Sequence, residues 1–176
     1  MKTRPRLKAE LTLRDKLLEI AAIVLLVFIW CLPFFVFSNL PQTIPIHFNT
    51  SGQVNEYGSR SSIFILPSVA TFIYLLLTII NRYPYLHNYP VNVTEENALT
   101  LYANSTKMLR YLKMIILIIF SMIEVTTYLM TIGKSNGLGI WFLPAILLVT
   151  LVPAVYFVIN HIKQQNDIIS NRCIYK

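Results

Sequence analysis

Charge is scarce in this sequence. Asp, Glu, Lys and Arg supply 13% of its 176 residues, about half of the ~25% carried by soluble domains. With 55% of residues hydrophobic, the chain has too few charged groups to cover a water-facing surface, which excludes an ordinary soluble enzyme. Disorder is excluded as well, because disordered chains are poor in aromatic and branched aliphatic residues, and Phe, Trp and Tyr reach 12% here. Cysteine is nearly absent. Cys31 lies within an apolar run and Cys173 in a polar tail, so neither a disulfide framework nor a metal-ligand spacing can be read from the pair. Glycine is scarce too, with five residues in all, and no glycine-rich phosphate loop exists. G-x-S-x-G, H-E-x-x-H and C-x-x-C are likewise missing. The expectation is a non-enzymatic protein with no catalytic residues and no cofactor.

What the chain does have is four long apolar runs, at 20–40, 63–80, 111–133 and 140–162, broken by acidic or basic residues only at Lys113 and Glu124. A bilayer core of ~30 Å takes about 20 helical residues. The fold expected is an all-α integral membrane protein, a four-transmembrane-helix bundle forming a single domain over 1–176. The first run exceeds the ~7–15 apolar residues of a signal peptide and is read as a retained helix. Ahead of it, residues 1–19 form a basic interfacial arm in which Thr12 and Asp15 have capping-box spacing.

Lys and Arg give the orientation. Thirteen of the fifteen fall in the N-terminal arm, in the segment from 81 to Lys113, or in the tail 163–176; only Arg60 and Lys134 lie on the opposite side. The positive-inside rule then puts both termini in the cytoplasm and residues 41–62 outside. The basic excess serves topology and contact with the lipid bilayer; nucleic acid is not an expected partner.

Two connecting segments exceed the ~2–8 residues usual between helices. In 41–62, prolines favour extended backbone, and Ile44, Ile46 and Phe48 alternate with Pro45, His47 and Asn49. Thr50-Ser51-Gly52 supplies a turn, residues 54–58 a returning strand, and Ser61 or Ser62 a cap for the second span. The result expected is a hairpin-like cap on the outer helix ends. In 81–110, a linker broken by Pro84 and Pro90 leads to Thr94, a predicted N-cap with Glu95 and Glu96 in the first turn. Leu99, Tyr102, Leu109 and Leu112 then mark one apolar stripe. With no Gly or Pro from 94 to 132, the spacing predicts one helix of ~38 residues and ~57 Å, extending the third span into the cytoplasm.

Two residues stand out as candidate sites. His47 lies on the predicted outer cap, and histidine is the side-chain type that serves as a pH-sensitive switch or ligand. Glu124 is a carboxylate about ten residues into the third span, where a charge costs ~2.5–3.5 kcal/mol, so it must face the bundle. Glu56 and Tyr57 complete the polar surface of the cap. A metal needs three or more ligands, and the cap offers only His47 and Glu56, so no metal site is expected. The neighbourhood of His47 and Glu124 is the sharpest site hypothesis.

The string Ile44-Pro45-Ile46-His47-Phe48-Asn49-Thr50-Ser51-Gly52 resembles the IPxHFNxxG motif of an uncharacterised bacterial membrane family, found alone or as the N-terminal half of SdpI-type immunity proteins. Pro90, Thr94, Glu95, Glu96 and Asn97 look like its second patch, P…TEEN. The chain departs from the pattern at Val54, Asn55 and Arg60, where members often carry Pro-Asp and a later Lys. The resemblance implies an immunity or sensor module in a bacterial cytoplasmic (inner) membrane that binds an extracytoplasmic peptide, an envelope component or a membrane protein. Its binding residues would be His47, Asn49, Glu56, Tyr57 and Glu124, with Pro45, Phe48, Gly52, Pro90, Thr94, Glu95 and Asn97 holding the motif's shape. The alternative is a small proton-linked transporter or accessory subunit using Glu124.

Overall fold

A computed structural model describes residues 4–8 and 10–174. Lys2 and Lys176, counted above for topology, lie outside the described residues, as do the side chains of His161, Arg172 and Cys173. The chain runs α1 (Leu13–Val36), β1 (Thr43–Phe48), β2 (Val54–Ser59), α2 (Ile65–Ile80), α3 (Ala98–Thr131) and α4 (Phe142–Ile174). Four helices are long and apolar enough to cross a membrane. Their outer faces carry large exposed side chains such as Phe34, Phe35, Phe72, Leu148 and Val152. Such a surface is untenable in water and natural in lipid. The protein is a multi-pass membrane protein.

α1 begins at a complete capping box. The Asp15 carboxylate accepts the Thr12 N–H at 2.9 Å and the Thr12 hydroxyl at 2.6 Å, while Thr12 Oγ1 accepts the Asp15 N–H at 3.3 Å. Helix therefore starts seven residues before the apolar run, and the end of the arm is continuous with the span. α1, α2 and α3 pack together around Ala22, Ile29, Ala70 and Leu117. Ala22 and Ala70 are fully buried; small residues of this kind let helix backbones approach in lipid, where packing rather than water exclusion drives association. Trp30 Nε1 donates to Thr71 Oγ1 at 2.9 Å, linking α1 to α2. α4 lies along α3, with Phe157 against Tyr111. The bundle is thus three mutually packed helices with a fourth on one flank.

α3 departs from expectation in three ways. It starts at Ala98 rather than Thr94, and Thr94 and Glu95 are exposed in the turn before it. Asn97 takes over the polar role: its side-chain oxygen accepts the Thr94 N–H at 2.7 Å and its amide donates to the Asn92 carbonyl at 2.9 Å. An Asx side chain closing its own turn outcompetes a threonine cap. Second, the buried stripe runs through Ala98, Leu101, Tyr102, Ser105, Thr106, Arg110 and Lys113, while Leu99 is 52% exposed. The face turned inward is the one that meets polar partners; of the predicted stripe, Tyr102 is fully buried, Leu109 and Leu112 are half-buried, and Leu99 is left outside. Third, the first half of α3 does not stand free. It packs on the linker through Tyr89, Ala98, Leu101 and Tyr102, with Tyr85, Val91 and Val93. The N-terminal arm lies over this cluster: Tyr102 donates to the Pro5 carbonyl at 3.0 Å, and Arg4 donates to the His87 carbonyl at 2.7 Å. Tyr89 donates to the Pro84 carbonyl at 2.8 Å, and burial pushes its phenol above the usual range. Pro90 is exposed beside it.

β1 and β2 form the antiparallel hairpin, with Thr43 opposite Ser59, Ile44 opposite Gly58 and His47 opposite Glu56. Strict alternation fails, however. Ile44 and Pro45 are both buried and Ile46 is 41% exposed, because the register slips on both sides of His47. Such irregularities re-aim side chains that a regular pleat would place by parity. The cap before α2 also differs: Ser59, not Ser61 or Ser62, accepts the Ser61 N–H and opens the short 3-10 turn Arg60–Phe64.

Candidate functional site

The site is built where β1 crosses the end of the helices. Val36 and Leu40 from the end of α1, Ile44 from β1 and Ile63 ahead of α2 form a buried cluster, with Tyr128 of α3 against it. The Arg60 guanidinium lies 4.9 Å over the Phe37 ring and closes the cluster's edge. This anchoring lays Ile44, Pro45, Ile46 and Phe48 over a cavity of about 120 Å³ whose polar lining includes Glu124 and Thr127 of α3. Glu124 is 2% exposed, and neither carboxylate oxygen has a hydrogen-bond partner among the described residues. Ser121, buried one turn earlier on α3, does have a partner: its hydroxyl donates to the Leu117 carbonyl at 2.8 Å. A buried carboxyl with both oxygens idle is a costly arrangement, and it is aimed at space. Chemically it can accept a hydrogen-bond donor, a cationic group or a proton.

His47 lines a second, larger cavity of about 390 Å³, together with Asn49, Thr50, Leu138 and Phe142. The two cavities share Ile46, Phe48, Leu66 and Ile123 as their dividing wall. His47 and Glu124 thus belong to neighbouring chambers on either side of one layer of apolar side chains. The His47 ring is exposed, with Nδ1 2.6 Å from Asn55 Oδ1.

The rest of the motif shapes the hairpin tip. Asn49 Oδ1 accepts the N–H groups of Ser51 and Gln53, each at 3.0 Å, so its side chain is spent on the turn. Gly52, at φ +72°, is buried against the loop between α3 and α4, and its carbonyl accepts the Leu138 N–H at 2.8 Å. A Cβ on Gly52 would overlap the Gly139 backbone, and one on Gly137 would overlap the Gly52 carbonyl. Three glycines therefore make one backbone-to-backbone contact. Gly52→Ala is expected to cost about 1–2 kcal/mol for the left-handed conformation alone, plus the overlap. The check is a faster proteolytic cut between 49 and 54 with a lower melting temperature; an unchanged cutting rate would show that the tip is not docked. Glu56 and Tyr57 are exposed on β2 and line neither chamber.

A second charged site is formed by Arg110 and Lys113, which the sequence marks only as topological charges. Lys113, 2% exposed in α3, donates to Glu19 Oε2 of α1 at 2.6 Å and to Thr78 Oγ1 of α2 at 3.0 Å, with its ammonium 4.5 Å over the Tyr74 ring. Arg110 lies 3.5 Å from Asp15 and 3.4 Å from Glu19. The readable signal was spacing: Asp15 and Glu19 are four apart and Arg110 and Lys113 three apart, each pair on one helix face. Among the described residues no group of three His, Cys, Asp or Glu side chains is placed to hold a metal.

Comparison with known proteins gives little beyond ancestry. Residues 24–71, which span the second half of α1, the hairpin and the start of α2, match a family described as a domain of unknown function (DUF1648). An uncharacterised protein of Archaeoglobus fulgidus is 41% identical over 81 residues, covering 42% of this chain and 43% of the relative. The chain thus spans less than half the length of the curated relative it matches. No solved structure matches it. Through its first helix and hairpin, the chain is similar to an uncharacterised family.

Proposed function

We propose that this chain is a non-enzymatic membrane module whose receptor is the pair of chambers between the β1–β2 hairpin and the helix ends. The hairpin faces outward and both termini face the cytoplasm, in the sense of the Lys and Arg asymmetry. The ligand is an extracytoplasmic peptide or envelope component, inserting an apolar segment beside Phe48 and Leu66 and a donor or cationic group towards Glu124. One observation carries this reading: the two partnerless carboxylate oxygens of Glu124 under a strand held by the helices. The immunity role implied by the motif resemblance fits such a receptor. Survival of cells challenged with a panel of secreted antibacterial peptides tests it. Wild type protects against at least one peptide, and His47→Ala and Glu124→Gln each lose protection at equal membrane levels. Protection retained in both variants would overturn the reading.

The same observation favours proton-linked transport as a second reading, since an idle carboxyl can load and release a proton. In proteoliposomes with a pH-sensitive dye, wild type would then dissipate a proton gradient and Glu124→Gln would not.

A further inference from the structure

We propose a binding site for a net-negative phosphate group at the end of the bundle opposite the hairpin. There a cavity of about 470 Å³ lies between the N-terminal arm, the end of α2 and the first half of α3. Lys8, Arg82 and Arg110 line it, with Asn81 and Thr106, and no carboxylate does. Charge bookkeeping explains why this matters. Arg110 and Lys113 are matched by Asp15 and Glu19 in the buried cluster. Lys8 and Arg82 bring two further positive charges, and neither has an ion-pair partner among the described residues. The cavity therefore holds a surplus of cations on three separate chain segments, converging on one space.

Two buried atoms point the same way. Among the described residues, Arg110 Nε is buried without a hydrogen-bond partner, although Glu19 is near, and Asn81 Oδ1 is buried with none. An amide is read equally well turned by 180°, which presents the Asn81 NH2 group to the cavity as another donor. Guanidinium, ammonium and amide donors around one space are the recognition chemistry of phosphate oxygens. The surroundings favour a phosphate carried by a lipid over a free one. Leu7 and Leu11 on the arm and Leu76, Ile79 and Ile80 on α2 are all exposed near this end, a path for acyl chains beside a basic headgroup pocket of the kind that holds anionic lipids.

The test uses the full chain purified in a mild non-ionic detergent and titrated with short-chain phosphatidylglycerol, short-chain phosphatidylcholine and inorganic phosphate. Wild type is expected to bind phosphatidylglycerol saturably and at least tenfold more tightly than phosphatidylcholine. The double variant Lys8→Gln/Arg82→Gln is expected to weaken phosphatidylglycerol at least fivefold. Both residues are exposed, so its melting temperature without lipid should match wild type and separate lost binding from lost fold. Inorganic phosphate binding as tightly as phosphatidylglycerol, and lost in the same variant, would support the site with a free anion as its source. Equal binding of the two lipids, or no change in the double variant, would overturn the proposal.

Discussion

Lys113→Leu is expected to destabilise the protein by about 3 kcal/mol, the low end of the ~3–5 kcal/mol that follows removal of one partner from a buried ion pair. The ammonium is 2% exposed and holds Glu19 and Thr78 together, so its loss takes a donor from both and leaves Glu19 with Arg110, at 3.4 Å, as its one remaining ion-pair partner among the described residues. The Glu19 side chain is 27% exposed, which lets water recover part of the loss and keeps the effect from the upper limit. The Tyr74 ring, at 4.5 Å from the ammonium, loses its cation as well. The double variant Glu19→Leu/Lys113→Leu is expected to regain part of the stability, because an apolar pair of similar volume frequently replaces a buried ion pair at no cost, while Arg110 gives up Glu19 and keeps Asp15 at 3.5 Å. Denaturant or thermal unfolding in detergent, run as a double-mutant cycle, measures the coupling. A single-variant loss under about 1 kcal/mol would make the pair equivalent to a surface bridge, and its place at the end of the bundle would then be topological only.

That cluster shows where sequence reading stops. Run lengths and the Thr12–Asp15 spacing give the spans and the start of α1, because hydrophobic length and a local cap are properties of contiguous residues. The tip of the hairpin is legible for the same reason: Gly52 adopts the positive φ expected of a turn glycine. The direction a helix faces is different. Leu99 points outward and Arg110 inward because Asp15 and Glu19 of another helix are the partners, and 95 residues separate Asp15 from Arg110. No local pattern contains that pairing. The face of β1 departs from strict alternation for a smaller cause, two register slips beside His47 that break the parity of the strand. At the site itself, Glu124 could be named from depth in an apolar run, since a carboxylate there is anomalous by itself. Its chamber could not, since Ile44, Pro45, Ile46 and Phe48 reach it only through the anchoring of Val36, Leu40 and Ile63. Asn49 reads as a ligand-binding residue from its motif and proves to hold the turn; a polar side chain in a tight loop serves its own backbone first.

Glu124→Leu is expected to make the protein more stable, by about 1–3 kcal/mol, the cost that mutational data assign to a buried polar group without a hydrogen-bond partner. The sign follows from what the carboxyl does in the fold. It makes no hydrogen bond among the described residues and is 2% exposed, so leucine surrenders no contact and removes a desolvated polar group. The branched side chain has the adjoining cavity of about 120 Å³ to occupy, which limits the overpacking that penalises such changes elsewhere. Glu124→Gln separates the causes. It keeps the shape and a polar tip, and should stay within about 1 kcal/mol of wild type, since its amide is as unpartnered as the carboxyl it replaces. Melting temperatures of the three proteins in one detergent decide the matter. A Leu variant less stable than wild type would mean that the carboxyl holds the bundle together, and the receptor reading would lose its anchor. A more stable Leu variant that no longer protects cells is the expected result, because a residue that weakens the fold and sustains activity is kept for what it binds.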